Sequence, residues 1–152
     1  GTAGTADNDP ITRKVFRARS KNLIGLITDN VPFVYYRVPL AANDIFSADI
    51  VNTWEVSDAT DSGTSLSIHK IVAVKDSGGT LSSNTSTSSS SVDSGGPRVQ
   101  TVMADVINVD ASNIDIRFTL NWTNTPTSVY LWSTSEVFSH TDITIPTFFQ
   151  HP

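Results

Sequence analysis

Nine consecutive residues, Ile114-Asp115-Ile116-Arg117-Phe118-Thr119-Leu120-Asn121-Trp122, alternate apolar and polar without a break. Successive side chains of a β-strand point to opposite faces. The run therefore places Ile114, Ile116, Phe118, Leu120 and Trp122 on one buried face, and Asp115, Arg117, Thr119 and Asn121 on a face that meets water. A helix would scatter the same apolar groups around its axis. An antiparallel sheet with one wet face accommodates them.

Other segments follow the same logic. Phe33–Val38 is aromatic and β-branched, bracketed by Pro32 and Pro39. Proline has no N–H to give to a ladder, so this strand is short or lies at an edge. Phe46, Ala48, Ile50, Trp54 and Val56 alternate with Ser47, Asp49, Thr53 and Glu55, with an interruption at Asn52. Leu66, Ile68, Val72 and Val74 form the apolar face of the next strand, broken by Lys70, while His69 and Lys75 share the opposite face with Ile71 and Ala73. Val99–Val109 is apolar on both faces, and Arg13–Ile27 gives one or two short strands of mixed character. Ser128–Phe138 carries Val129, Leu131 and Val137 on one side and Tyr130, Trp132 and Phe138 on the other. Polar turns separate these runs, and no stretch shows a capped helical stripe. The class is all-β, an antiparallel β-sandwich of jelly-roll-like type.

A length of 152 residues suits one domain with a sizeable core. The Gly/Thr/Ala-rich start makes residues 1–12 a flexible leader or linker, with a single sandwich domain over 13–152. Gly1 as the first residue and Met103 as the single methionine suggest a processed product or a piece of a longer protein. Within the domain, 76–97 reads as an inserted loop, because Ser82–Ser91 contains only Ser, Thr and Asn. Such a segment buries too little apolar area to offset its ordering entropy. It is expected to project, either as a tolerated insertion or as a contact loop ordered by a neighbouring subunit.

Composition narrows the function classes. The net charge is −5, and the basic residues cluster only in Arg13–Lys21. A nucleic-acid groove needs clustered cations to displace counterions, so no nucleic-acid partner is expected. Without cysteine there is no disulfide framework and no thiolate zinc site. No apolar run approaches the ~20 residues of a membrane helix, so insertion is not expected. A low charged fraction, 16%, with abundant Ser, Thr, Asn and Asp is common in extracellular and virion β-proteins.

Candidate chemistry is sparse. His140 and Asp142 could share a metal but have no third partner nearby, and His69 reads as a surface or interface residue. Asp58 with Asp61, and Asp110 with Asn113 and Asp115, are oxygen-rich but are better explained by turn chemistry than by calcium. Glu55 and Asp49 share a strand face, with nothing to mark them as buried. The glycosylation patterns Asn84-Thr85-Ser86 and Asn121-Trp122-Thr123 are short, and the second lies in a core strand. No nucleophile elbow, zinc-protease helix or phosphate loop is present. The expectation is a non-enzyme with no cofactor and no metal.

Trp54 and Trp122 alternate with aliphatic residues and belong in the core. Tyr130, Trp132 and Phe138 share one face, which suits a second core layer, a subunit interface or a sugar-stacking platform. A sandwich of this size covers only the inner face of its sheets, so the outer one calls for another chain. A homo-oligomer is the expected solution, with threefold closure favoured.

With these residues in view, the chain resembles the β-sandwich domains of phage tail fibres and other virion appendages. The likeness lies in the Gly/Thr/Ala leader, the strands Phe46–Trp54 and Ile68–Val74, the Ser/Thr/Asn segment and the alternation of Ile114–Trp122. It spans roughly residues 40–140 and includes no fingerprint residue, so no functional position carries over. It implies a trimer of jelly-roll domains at a fibre tip or capsid surface. Such a domain joins other virion proteins or attaches to a host-surface glycan or protein. A secreted carbohydrate-binding module is the alternative, with Tyr130 and Trp132 as its candidate aromatics.

Overall fold

The computed structural model describes residues 12–141, 143 and 149–150. The expected leader lies outside the described residues up to Ile11, and Thr12 already opens the first strand. The strands are β1 (Thr12–Ser20), β2 (Phe33–Pro39), β3 (Ile45–Ser57), β4 (Ser62–Lys75), β5 (Leu81–Asp93), β6 (Arg98–Asp110), β7 (Asn113–Thr123), β8 (Ser128–Ser139) and β9 (Phe149–Gln150). No helix occurs among the described residues.

Two antiparallel sheets face each other. The larger has the order β9-β1-β8-β3-β4-β5 and the smaller β2-β7-β6. Pairing of β1 with β8 and of β2 with β7 brings the two ends of the chain together in the nested manner of a jelly roll. In contrast, β3, β4 and β5 run as successive hairpins within one sheet. As its prolines require, β2 lies at the edge of the small sheet. A register shift between Val34 and Tyr36 turns both Tyr35 and Tyr36 into the core.

The core fills the space between the sheets. Ile114, Ile116, Phe118 and Leu120 of β7 are buried, with Trp122 packed at the margin. Phe118 meets Trp54 edge-on at 6.2 Å between ring centres and Tyr35 at 4.7 Å. On the other side of β7, Asp115 is not on a wet face as its alternation suggests. Arg37 of β2 covers it and clasps it through two hydrogen bonds of 2.8 and 3.0 Å.

Asp and Asn act at the turns as expected. Asp58 Oδ1 accepts from the amides of Thr60 and Asp61, and Asp110 Oδ1 from that of Ser112. These donors hold both carboxyls below the usual carboxylate range. Asp76 similarly accepts from Gly78 and Thr80 around Gly79, whose φ of 84° suits glycine.

Three further expectations need correction. The first is the projecting loop: Ser82–Ser91 lies within strand β5, paired without a register shift from Lys75↔Leu81 to Gly63↔Asp93. Its polar side chains suit an edge strand that meets solvent on both faces. The ladder, the Asp76–Gly79 and Asp93–Gly95 turns, and the Thr85 and Thr87 hydroxyls supply the order that apolar burial does not. The second is Asn52, which does not interrupt β3 but is fully buried within its continuous ladder, both side-chain polar atoms without a partner among the described residues.

The third concerns β4. Its inner face consists of Ser65, Ser67, His69, Ile71, Ala73 and Lys75, and its more apolar side faces outward. His69, expected at the surface or an interface, is fully buried against the Phe118 ring. Small serines leave room for the aromatic rings, and the polar groups satisfy one another. Trp54 Nε1 donates to Ser67 Oγ at 2.9 Å, and His69 lies 2.8 Å from both Ser67 Oγ and Thr87 Oγ1. Each group has a partner if Ser67 donates to Nε2 and the Nδ1 proton goes to Thr87. The Lys75 ammonium donates to the Asp110 carbonyl at 2.7 Å, tying β4 to the turn between β6 and β7.

Candidate functional site

The hairpin geometry decides which residues reach the outer face of the six-stranded sheet. Ser57 opposite Ser62 sets even-numbered β3 positions against odd-numbered β4 positions. Because Trp54 points inward, Leu66, Ile68, Val72 and Val74 must point outward. Ile45 and Val51 of β3, Val15 of β1 and Val92 of β5 are exposed on the same side. The ladders align these residues in rows. Arg19, Trp132, Thr53, Leu66 and Ser90 form one, and Arg13, Phe138, Ser47, Val72 and Asn84 another.

Tyr130, Trp132 and Phe138 all lie on this face, as their alternation requires, with Trp132 46% and Phe138 37% exposed. They do not form one cluster. Six residues of extended chain separate Trp132 from Phe138, roughly 20 Å. Phe138 borders a shallow apolar groove of about 480 Å³ with Ile45, Val72 and Val74. Tyr130 belongs to a more polar groove of about 590 Å³ at the other end, shared with Arg19, Glu55, Ser57, Thr64 and Ser94. Between the ends lies a charged row. Arg13 Nε donates to Glu136 at 2.7 Å, and Lys70 sits 3.6 Å from Asp49. These exposed pairs contribute ~0–1 kcal/mol each and serve mainly to keep the middle of the face hydrated.

Arg19 was not singled out from the sequence beyond its place in the basic cluster. Its guanidinium carbon lies 4.1 Å from the Tyr130 ring centre and 5.1 Å from that of Trp132. The signal that could have found it is parity. Arg13, Arg17 and Arg19 alternate with inward Phe16 and Ala18, which sends all three arginines outward. Glu55 and Asp49 do share the outer face, but they lie six residues apart along β3.

Among the described residues, no three His, Cys, Asp or Glu side chains converge as a metal site. His140 Nδ1 lies 3.1 Å from Asp44 Oδ1, and Asp142 lies outside the described residues.

No family model matches the chain, and no curated protein matches it. Among solved structures, the crystal structure of the Acinetobacter baumannii phage AM24 tailspike protein aligns with a TM-score of 0.44 and 9% identity. The alignment covers 90% of this chain and 27% of that one, so the chain spans about a quarter of the tailspike's length. A likeness at this level assigns no family.

Proposed function

We propose that this chain is a non-catalytic structural domain of a virion appendage, of tail-fibre or capsid-surface type, working outside the cell. It assembles with copies of itself through the outer face of the six-stranded sheet, with threefold closure, and joins other virion proteins or presents a host-attachment surface. The observation that carries the assembly is the apolar character of that face. Leu66, Ile68, Val72 and Val74 of β4 and Trp132 and Phe138 of β8 stand exposed on either side of β3, toward the two ends of the face, and exposed apolar patches on soluble proteins usually mark contact surfaces. The virion setting is supported by the sequence style, weakly charged and rich in Ser, Thr and Asn. Native mass spectrometry of the purified chain at micromolar concentration tests it. A trimer is expected, and a monomer would overturn the assembly.

One observation favours a second reading, a secreted carbohydrate-binding module. It is the polar groove beside Tyr130, which brings a cation, a carboxylate and several hydroxyls together.

A further inference from the structure

The groove at the Glu55 end of the outer face is framed by β3, β4, β5 and β8, with Arg19 at its rim. Its volume, about 590 Å³, lies within the range of small-molecule sites. The Arg19 guanidinium is held over Tyr130 and Trp132 and has no carboxylate partner among the described residues. Aromatic rings restrict the rotamers of an arginine without consuming its N–H groups. Such a fork meets a carboxylate with less loss of entropy than a free side chain would.

Glu55 reaches the same groove from the strand beside Tyr130, and it too has no ion-pair partner among the described residues. Asp93, by contrast, is matched by Arg98 at 3.4 Å. The Ser57 and Ser128 hydroxyls bond to each other at 2.5 Å, and Thr64 and Ser94 extend the hydroxyl wall. The groove thus presents one preorganised cation, one unmatched acceptor carboxylate and a row of hydroxyls.

These features together select a ligand. A phosphate dianion or a polyacidic peptide would meet Arg19 but would be repelled by Glu55. A neutral sugar would leave the guanidinium unmatched. It would also find the Tyr130 face already occupied by Arg19, which argues against the ring as a simple stacking platform. A molecule with a single carboxylate and adjacent hydroxyls satisfies both charged groups. We propose that this groove binds an acidic sugar residue, its carboxylate on Arg19 and a pair of its hydroxyls on Glu55. Tyr130 and Trp132 act as the backing that holds Arg19 in place. The proposal rests on the carbohydrate-binding reading and, because Trp132 also lies on the face proposed for assembly, on this end of the face staying open to solvent.

The test is a titration of the isotopically labelled chain followed by amide chemical shifts. The probes are galacturonate, glucuronate and N-acetylneuraminate, with galactose and acetate as references. At least one acidic sugar is expected to give saturable shifts clustered around Arg19, Glu55 and Tyr130, at least tenfold tighter than either galactose or acetate. Arg19→Gln should remove that preference, and Glu55→Gln should weaken the acidic sugar while leaving the acetate response unchanged. Both variants should keep the wild-type melting temperature, since neither side chain is buried in the core. Absence of a saturable response to all three acidic sugars would overturn the proposal, as would equal binding of acetate or an unaltered preference in folded Arg19→Gln. The oligomeric state, read separately by native mass, decides the assembly reading, and saturable binding at Arg19 and Glu55 in an oligomer would place this groove outside the contact.

Discussion

On β4, the residues turned into the core include Ser65, Ser67, His69 and Lys75, whereas those turned to solvent include Leu66, Ile68, Val72 and Val74. On β3 and β8 the sorting is nearer the usual one, although Asn52, Ser133, Ser135 and Ser139 are buried and Trp132 and Phe138 face outward. Phe46, Ile50, Trp54, Val129, Leu131 and Val137 point inward. The difference shows that hydropathy alone does not decide which face of a strand is buried. Register decides it, and the inner face of β4 follows from its pairing with β3. The core accepts this reversed strand because the rings of Trp54 and Phe118 fill the space above the serines and His69. The outer face, left apolar, becomes the surface through which the chain is proposed to meet others.

The largest expected effect sharpens the inner side of this comparison. Phe118 is fully buried and touches both Trp54 and His69, so it seals the small sheet against β3 and β4. Phe118→Ala should cost ~3–5 kcal/mol in urea denaturation. A loss below 1 kcal/mol would break the inner-face assignment.

Next in size is an acid effect. Burial holds the His69 imidazole pKa down to about 4 from its ordinary 6.5. The folded protein keeps it neutral, while the unfolded chain takes up a proton below pH 6.5. His69 therefore has no such effect above pH 6.5, and stability falls as pH drops from there toward 4, by on the order of 3 kcal/mol in full. The depressed carboxyls of Asp58 and Asp110 act lower, since their stabilisation is lost only as pH falls below the ordinary 3.8. Denaturant midpoints between pH 7 and 4 should show this slope, and His69→Gln should flatten it. An equal slope in the variant would place His69 in contact with water.

The smallest effect compares identical chemistry on the two faces of β4. Ile71 is 1% exposed on the inner face and Ile68 37% exposed on the outer. Ile71→Val should cost ~0.5–1.5 kcal/mol, and Ile68→Val close to nothing in dilute protein where the protomers are apart. The reverse order would mean that the pairing of β3 with β4 is shifted by one residue.

How much was legible in the sequence follows from the same physics. β7 could be read because strict alternation coincides with one buried face, Asp115 apart, and β8 because its apolar residues fall into two rows of opposite parity. The outward placement of Tyr130, Trp132 and Phe138 came with it. β5 could not, because a strand solvated on both faces carries no hydropathy pattern, and its order comes from the β4 ladder and its two turns. The inner face of β4 was misread because its apolar residues point outward, although the short turn between Ser57 and Ser62 already implied the correct parity. The polar groove was invisible for a different reason. Arg19 reaches Tyr130 only through the pairing of β1 with β8, between opposite ends of the chain.

Sedimentation velocity of the wild type and of the double variant Trp132→Glu/Phe138→Glu tests the central claim, that the outer face is the assembly surface. The substitutions lie opposite Arg19 and Arg13 in the ladder, where the new carboxylates have cations beside them and the protomer stays folded. They remove the two large aromatic side chains exposed on β8 and place charge in what would be a dry contact. The wild type should sediment as a closed oligomer at micromolar concentration and the variant as a protomer with an unchanged far-ultraviolet circular dichroism spectrum. A monomeric wild type, or an oligomer that survives both substitutions, would contradict it.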